Sequence, residues 1–295
     1  MKKAILIILS LIVIQNNIYS NPALQLVVNG GKYIVNLIAP IIFEKGINTI
    51  SSKLASNDKD IKKLESYISE RNEKEAYKLL IKLIADKKID EIYIPMYYLK
   101  IAYITDNYYN TIKYLDIIID SYPNSEYFND AYYLRYFYRG FIDYEEEEYD
   151  SAIKNLKNAA NLKPNSEYSW YWLGRAYYSN EDYNKATESF NKAINLNPND
   201  GDNWYWLGIA YLYNQNYNKA IESFNKAVNL NPNEENYYFA LGGTYYNNKD
   251  YNKAIESLNK AVRLNPNNEE SWYWLGTAYL EIKNIIKRWK VLIKL

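Results

Sequence analysis

The sequence contains neither cysteine nor histidine, and these two absences exclude most of the common catalytic chemistry. Without cysteine there can be no disulfide, no thiolate zinc site, no cysteine nucleophile and no lipid attached to a bacterial signal-peptide cysteine. Without histidine the chain lacks the usual general base of hydrolases and the commonest metal ligand. An enzyme of this composition would need a carboxylate pair or a Ser–Lys dyad, and no spacing in the sequence indicates either.

The chain also lacks a net charge, since 35 Lys and Arg residues balance 35 Asp and Glu residues. A nucleic-acid-binding domain typically carries a basic surface, so we expect no nucleic-acid partner. The acidic stretch of residues 143–150 lacks the alternating ligands and the central glycine of a calcium-binding loop. It predicts a solvated turn between two helices, and the sequence as a whole predicts no metal site and no cofactor.

Residues 1–20 have the pattern of a secretory signal peptide. Lys2 and Lys3 precede an apolar core over residues 4–14, and a polar stretch ends at Ser20, after which we expect cleavage. The apolar core is too short to span a bilayer as a helix. We therefore expect an exported protein, periplasmic or secreted, with no integral membrane span after cleavage. The alternative is an uncleaved N-terminal membrane anchor.

Residues 21–57 differ from the rest of the chain, with two apolar stretches separated by a Gly-Gly pair. We expect this segment to cap the apolar face of the first helical hairpin, as the ends of a solenoid require. The alternative is contact with a membrane or a partner. Over residues 58–166, apolar residues recur at helical spacing, as in Ile61, Leu64 and Ile68. These residues predict degenerate helical hairpins, the last of them with a lengthened first helix.

The second half of the chain contains a unit of 34 residues that recurs. The frame of the first copy is Trp170, Leu173, Gly174, Tyr177, Ala186, Phe190, Ala193 and Pro198. This pattern resembles that of tetratricopeptide repeats (TPRs). The resemblance implies an all-α fold, a TPR-type α-solenoid of antiparallel helix pairs wound as a right-handed superhelix. The predicted repeats are residues 167–200, 201–234, 235–268 and, incompletely, 269–295.

Positions within a repeat are counted from 1 at residue 167 and its equivalents. The first helix is expected over about positions 2–14 and the second over about positions 18–30. Glycine at position 8 and alanine at position 20 predict the point where the two helices cross closely, because small side chains let the backbones approach. The residue before a proline is disfavoured in the helical region, so each Asn-Pro-Asn sequence predicts the end of a second helix.

The resemblance also implies a concave groove lined by the first helices, mainly at positions 2, 5, 6, 9, 12 and 13. The residues expected to form the groove are Tyr168, Tyr171, Trp172, Arg175, Tyr178, Tyr205, Trp206, Phe239, Tyr273 and Trp274. Tyrosine and tryptophan bury a large area at low cost in side-chain entropy, so this groove suits an apolar peptide or helix with a polar handle. The alternative for each aromatic residue is that it packs between neighbouring first helices and has only a structural role.

The expected function is therefore binding without catalysis. We expect a protein–protein interaction scaffold that holds a segment of a partner in this groove. Chaperone-binding repeats hold a C-terminal carboxylate with a set of Lys, Arg and Asn residues that no three-repeat register of this chain supplies. The alternative is a ligand-binding module for a peptide or glycan in the cell envelope. A glycan would favour exposed, coplanar Trp172, Trp206 and Trp274.

The fourth copy departs from the repeat after Asn284. We back-translated the expected second helix with suitable synonymous codons and deleted one nucleotide from its tyrosine codon. The new frame encodes residues 284–295 followed by a stop. We therefore expect that a frameshift, as a mutation or a sequencing error, replaced the second half of this repeat. The alternative is a genuine capping helix, in which Arg288 would occupy the small position opposite Gly276.

Resequencing the 3′ end of the gene tests this hypothesis. We expect a downstream frame that encodes further repeat sequence, continuing the pattern that stops after Asn284. A downstream region that encodes no repeat sequence in any frame would contradict the frameshift.

Overall fold

The computed structural model describes residues 58–105 and 107–294, apart from the side chains of residues 284 and 287–294. Over these residues the chain forms thirteen α-helices and one short 3₁₀ helix and contains no β-strand. The prediction of an all-α fold built from helix pairs is confirmed.

Two of the sequence predictions lie outside the described residues. These are the signal peptide at residues 1–20 and the cap at residues 21–57. Within the described part of the chain, none of the helices combines the length and the apolar character that a membrane span requires.

The described residues divide into two compact units, the first ending at Ile142 and the second beginning at Asp143. The described helices are, in chain order, α1 (Lys59–Ser69), α2 (Glu73–Ala85), α3 (Ile94–Ile104), α4 (Tyr108–Ser121), α5 (Phe128–Glu145), α6 (Tyr149–Leu162), α7 (Glu167–Ser179), α8 (Tyr183–Leu196), α9 (Gly201–Tyr213), α10 (Tyr217–Leu230), α11 (Glu235–Asn247), α12 (Tyr251–Leu264) and α13 (Glu269–Lys294). The 3₁₀ helix, Glu91–Tyr93, leads into α3. Helix α5 has 18 residues, whereas α7, α9 and α11 have 13 each, so the helix predicted to be longer is longer.

In the first unit, the carboxylate of Glu73 at the start of α2 is the centre of a polar network. It accepts hydrogen bonds from Thr105 Oγ1 at 2.5 Å, from Tyr114 Oη at 2.8 Å and from Asn110 Nδ2 at 3.2 Å. Burial, with the Glu73 charge, raises the pKa of the Tyr114 hydroxyl, which therefore stays a donor. These bonds connect α2 to the end of α3 and to α4.

The helices of the second unit begin and end at residues that favour those ends. The side chains of Asp182, Asn216 and Asp250 each accept a hydrogen bond from a backbone N–H three residues on, which caps α8, α10 and α12. These three helices end at the asparagine that precedes a proline, as the sequence predicts. First helices occupy positions 1–13 and second helices positions 17–30.

The turn inside each helix pair contains a non-glycine residue in the left-handed region. Glu181, Gln215 and Lys249 have φ values of 61°, 59° and 63°. The backbone N–H groups of each of these residues and of the next one donate back to the last turn of the first helix, as in a Schellman motif. A left-handed residue with a side chain costs about 1–2 kcal/mol, so the packing of each pair must offset strain in its turn.

The same turn occurs in the acidic stretch of residues 143–150. Glu147 has a φ of 63° between the end of α5 and the start of α6. The prediction of a turn between helices at this stretch is confirmed.

The glycine at position 8 accommodates a ring from the second helix of its own pair. A Cβ on Gly174 would lie 2.8 Å from the Phe190 ring, and a Cβ on Gly208 would lie 2.7 Å from the Phe224 ring. At Gly242 the corresponding neighbour is a side-chain carbon of Leu258 at 2.6 Å. Real Cβ contacts are never so short, so only glycine allows the second helix to approach this closely.

This geometry corrects the predicted partner of the glycine. The sequence placed the alanine at position 20 opposite it, whereas the nearest atoms belong to the residue at position 24. Ala186, Ala220 and Ala254 are nevertheless fully buried and belong to the same apolar clusters. The residue at position 24 makes the closest contact because its phenylalanine or leucine side chain is long enough to reach the glycine of the first helix.

Helix α13 continues through the place where the three complete repeats turn. Lys283 is the equivalent of the left-handed Lys249, yet it remains helical. The described residues therefore form no separate second helix that folds back onto the first, because residues 269–294 form one uninterrupted helix. The frameshift and the capping helix both stay predictions. No atom outside the helix's own local backbone lies within 4 Å of the point that a Cβ on Gly276 would occupy.

A pair of Gly→Ala substitutions tests the glycine–ring contact. Gly174→Ala should destabilise the second unit by about 1–3 kcal/mol, since the Phe190 ring is fully buried and cannot retreat. Gly243→Ala, also within a first helix, has open space around its Cβ and should be neutral or stabilising by up to about 1 kcal/mol. Thermal and urea unfolding followed by circular dichroism would compare the two. Equal stability of both variants would contradict the contact.

Candidate functional site

The first helices of the second unit carry an aromatic residue at position 5 of each repeat. The Tyr171 ring lies 6.1 Å from the Phe190 ring and the Tyr205 ring lies 5.8 Å from the Phe224 ring, measured between centroids. Both tyrosines are half-buried by these contacts. The equivalent Tyr273 is 64% exposed. Position 5 therefore contributes both to packing within the pair and to the exposed side of the first helices.

Arg175, at position 9, lies in a box of aromatic side chains and is 5% exposed. Its guanidinium carbon is 4.0 Å from the centroid of Trp206 and 5.0 Å from that of Trp172. Its Nη2 donates to Tyr144 Oη at 2.9 Å and its Nη1 to Tyr171 Oη at 3.4 Å. The box therefore joins α5, α7 and α9.

The Arg175 charge is stabilised mainly by rings and hydroxyl groups. Burying a charge without a partner is costly, and a desolvated cation–π contact contributes about 2 kcal/mol. Within the described residues the buried Nε of Arg175 has no hydrogen-bond partner. Burial raises the pKa of the nearby Glu145 carboxyl while the Arg175 charge lowers it.

The three tryptophans at position 6 do not have the same environment. Trp172 is 1% exposed and meets Tyr144 and Tyr171 edge-on, at interplanar angles of 70° and 88°. Trp206 and Trp274 are half-buried. Trp172 therefore belongs to the packed wall, and the three indoles do not form one exposed platform.

Four predicted residues belong, together with two further tyrosines, to one continuous cluster of aromatic side chains, which we call the aromatic wall. It consists of Tyr144, Tyr171, Trp172, Tyr178, Trp206 and Tyr213, arranged around Arg175. The Tyr178 ring lies 5.7 Å from Trp206 and 5.2 Å from Tyr213. Burial raises the pKa of the Tyr178 hydroxyl well above its usual value, so it remains protonated and able to donate.

The other predicted groove residues lie outside this wall. Tyr168 and Phe239 are half-buried on α7 and α11. Trp274 meets Tyr246 edge-on at 5.2 Å, and Tyr273 lies beside it on α13. The assignment of all ten residues to a binding groove stays a prediction.

Sequence reasoning missed Tyr144 and Tyr213. Tyr144 lies at position 12 in the frame set by Gly140, one repeat before Tyr178, and Tyr213 lies at position 13 of its repeat. Both could have been found by extending the 34-residue frame backward and by reading all six groove positions. Position 12 is tyrosine at 144, 178 and 246 but leucine at 212 and 280.

A family model described as "Anaphase-promoting complex, cyclosome, subunit 3" matches residues 145–227 and residues 213–294, which together exceed half of the chain. The chain belongs to this family of tetratricopeptide repeat proteins.

Two solved structures show the same TPR fold. YrrB, described as a TPR protein with an unusual peptide-binding site, is 20% identical, with a TM-score of 0.53 over 66% of this chain and 96% of its own. MamA from Desulfovibrio magneticus RS-1, from residue 41 to its end, is 22% identical, with a TM-score of 0.52 over 61% of this chain and 98% of its own. At these identities the likeness concerns the fold alone. A comparison with curated proteins finds no significant match.

The TPR units are also joined by a buried polar network that the sequence reading missed. Asn203 Nδ2 donates to Glu167 Oε1 at 2.5 Å, one repeat earlier. In the same way Ser271 Oγ donates to Glu235 Oε1 at 2.9 Å. The donors occupy position 3 and the acceptors position 1 of the preceding repeat. At the intervening junction position 1 is Gly201, and Tyr237 donates instead to Asp202 Oδ1 at 2.5 Å.

The acids of this network are shifted in pKa by their surroundings. Burial raises the pKa of Glu167 to about 6, although hydrogen bonds from Asn197 and Asn203 act to lower it. Burial likewise raises the pKa of Glu235, against hydrogen bonds from Ser271 and Asn268. The folded state therefore holds a proton on Glu167 more tightly than the unfolded chain, in which the pKa is about 4.5.

The pH dependence of stability tests whether the pKa of Glu167 is raised in the folded state. A raised pKa of the folded state stabilises the fold below pH 4.5, and this contribution is lost as the pH rises through about 6. Relative to Glu167→Gln, the wild-type protein should lose about 1 kcal/mol of unfolding free energy over this interval, reduced by solvent screening at a half-buried group. Urea unfolding at several pH values would measure the difference. Glu188→Gln, on the exposed side of α8, is the matched control. The same pH slope in both variants would contradict the assignment.

Proposed function

We propose that the chain is a non-catalytic scaffold that binds a segment of a partner protein against the aromatic wall and the half-exposed aromatic residues that continue along α9, α11 and α13. Binding of a peptide or helix requires no catalytic group. Within the described part of the chain no group of three or more acidic side chains could hold a metal ion. The TPR fold and the description of YrrB as a protein with a peptide-binding site support a binding role.

The observation that carries the proposal is the Arg175 box. Edge-on ring contacts and the hydrogen bonds from Arg175 fix the orientations of Tyr144, Tyr171 and Trp206 before any ligand arrives. Preorganised rings bind at a lower entropic cost than mobile side chains. Tyrosine and tryptophan are also the residue types that carry most binding energy at interfaces.

The chemistry of the surface defines the class of partner segment. Half-buried rings at positions 5, 6 and 12 present apolar area, and the tyrosine hydroxyls present polar groups. The Arg175 charge lies enclosed by rings at one end of this surface. An apolar peptide or amphipathic helix that carries an acidic group would complement both. The acidic group would bind at the Arg175 end without contacting the guanidinium, because the buried positive charge attracts an anion through the enclosing rings.

The glycan alternative receives less support from the geometry. Stacking on sugar rings favours exposed and coplanar indoles, but Trp172 is 1% exposed within the packed wall. Trp206 is covered on one side by the Arg175 guanidinium. A protein segment is therefore the occupant we favour.

We also propose that the protein acts outside the cytoplasm. The support for this part of the proposal is the sequence of residues 1–20, with its charged start and short apolar core.

Photocrosslinking in the native cell tests the groove proposal. A photoreactive phenylalanine at position 239 replaces a predicted groove residue, whereas one at the neighbouring position 238, which is not a predicted groove residue, lies against Lys260 of the second helix. We expect mass spectrometry to identify the same partner segment repeatedly from position 239 and not from position 238. Equal capture from both positions would contradict a groove.

Two tryptophans on α9 provide a matched pair for affinity measurements on the captured segment. Trp206→Leu should weaken binding by about 2 kcal/mol, or about thirtyfold in Kd. Trp204→Leu removes a similar half-buried ring, whose indole N–H donates to the Pro198 carbonyl on the other face, and should leave Kd unchanged. Isothermal titration would measure both, with circular dichroism as the folding control. Equal losses of affinity would indicate an effect on folding and would contradict the proposal.

A further inference from the structure

Within the described residues, helix α13 has an apolar face that no second helix covers, and we call it the open face. It consists of Trp272, Tyr273, Gly276, Tyr279 and Leu280. The four large side chains are 52%, 64%, 53% and 59% exposed. Their equivalents in the three complete repeats are all half-buried. This difference in exposure is caused by the packing of a second helix on the complete repeats, since the residue types at these positions are closely matched.

The complete repeats show what covers such a face. In the first repeat the Phe190 ring lies over Gly174, and Ala186 and Ala193 flank it on the same side of α8. The second and third repeats contain the same arrangement, with Phe224 over Gly208 and Leu258 over Gly242. The molecule thus gives three examples of the side-chain pattern that fits this face.

Lysines of the second helix add polar contacts to the same face. Lys192 Nζ lies 3.9 Å from the centroid of Trp170, and Lys185 Nζ lies 5.4 Å from that of Tyr177. These rings are the equivalents of Trp272 and Tyr279. A helix that covers the open face can therefore gain two cation–π contacts in addition to apolar burial.

The open face is already oriented for a helix to bind. Trp272 Nε1 donates to the Pro266 carbonyl at 2.9 Å, as Trp170 and Trp204 do to Pro164 and Pro198. Leu275 and Ala278, which lie on the opposite side of α13, are buried against α12. The helix is therefore held in the same way as the other first helices, and only its second helix is absent from the described residues.

We propose that the open face binds an amphipathic helix from another polypeptide, with the pattern Lys-Ala-x-x-x-Phe/Leu-x-Lys-Ala. The Phe or Leu would pack over Gly276, the first Ala would lie one turn before it, and the lysines would lie over Trp272 and Tyr279. The open face shares Tyr273 with the predicted groove, but it also includes Trp272, Gly276 and Tyr279, which are not predicted groove residues. A change at Gly276 therefore tests the open face separately from the groove.

A second copy of this chain fits the open face less well. Its helices with the required pattern, α8, α10 and α12, are already packed on their own first helices. Two open faces placed together would offer Trp272 and Tyr279 from both sides and no alanine–ring pair to fill the glycine.

The test uses the full-length protein and a labelled peptide of residues 216–231, which contains α10 and its capping Asn216. Fluorescence anisotropy should show saturable binding, and circular dichroism should show a gain in helix beyond the sum of the parts. A control peptide with Phe224→Ala should bind at least about tenfold more weakly, because it leaves Gly276 unfilled.

Gly276→Ala separates binding from folding. A Cβ at this position meets no atom within 4 Å, so the variant should fold at least as stably as the wild type. The same Cβ would collide with an inserted ring, as at Gly174, so peptide affinity should fall by at least about tenfold. Three results would overturn the proposal: no binding of the peptide, equal binding to wild type and Gly276→Ala, or self-association that Gly276→Ala abolishes and the peptide does not displace.

Discussion

The close approach of the two helices in each repeat, with a phenylalanine or leucine side chain packed directly over a glycine, is the contact on which the second unit depends. A side chain at Gly174, Gly208 or Gly242 would collide with the residue at position 24 and push the second helix outward. The ring at position 24 would then leave the apolar cluster that it shares with the first helix of the next repeat. The contact within a pair therefore also sets the contact between pairs.

The stacking of first helices determines how deeply each aromatic side chain of the repeats is buried. Trp172 and Arg175 are buried among the rings of Tyr144, Tyr171 and Trp206, whereas Trp274 on α13 is half-buried and Tyr273 is 64% exposed. One residue type at one repeat position can thus be buried in one repeat and exposed in another. Arg175 has no counterpart in the other repeats, because rings from three helices enclose its charge and no other cationic residue occupies position 9.

The 34-residue offset was sufficient to predict the helix pairs, their ends before proline and the glycine crossing, because each depends on local chemistry that recurs in every copy. The left-handed turns at Glu181, Gln215 and Lys249 could not be predicted, since tertiary packing there overrides the usual preference for glycine. The exposed fraction of Trp172 depends on its neighbours along the stack, which the repeat frame does not specify. The hydrogen bonds between position 3 of one repeat and position 1 of the preceding repeat could be predicted only by comparing these positions across adjacent repeats. Gly201 interrupts that pattern, because it has no side chain to accept a hydrogen bond.

A repeat unit in a stack has two apolar faces, and each must be covered by a neighbour or remain exposed to water. In α7, α9 and α11 one face meets the second helix of the same pair and the other meets the adjacent repeat. In α13 the side that packs on α12 is covered and the open face is not, although the same residue types are present. Exposed area on this scale is unfavourable in water, and in soluble proteins a contiguous apolar patch commonly marks an interaction site. Because Gly276 leaves the same space that a ring fills at Gly174, the open face has a defined shape as well as an apolar character. A surface of defined shape can select one helical pattern over others of equal hydrophobicity, since only a small residue followed one turn later by a ring can enter it.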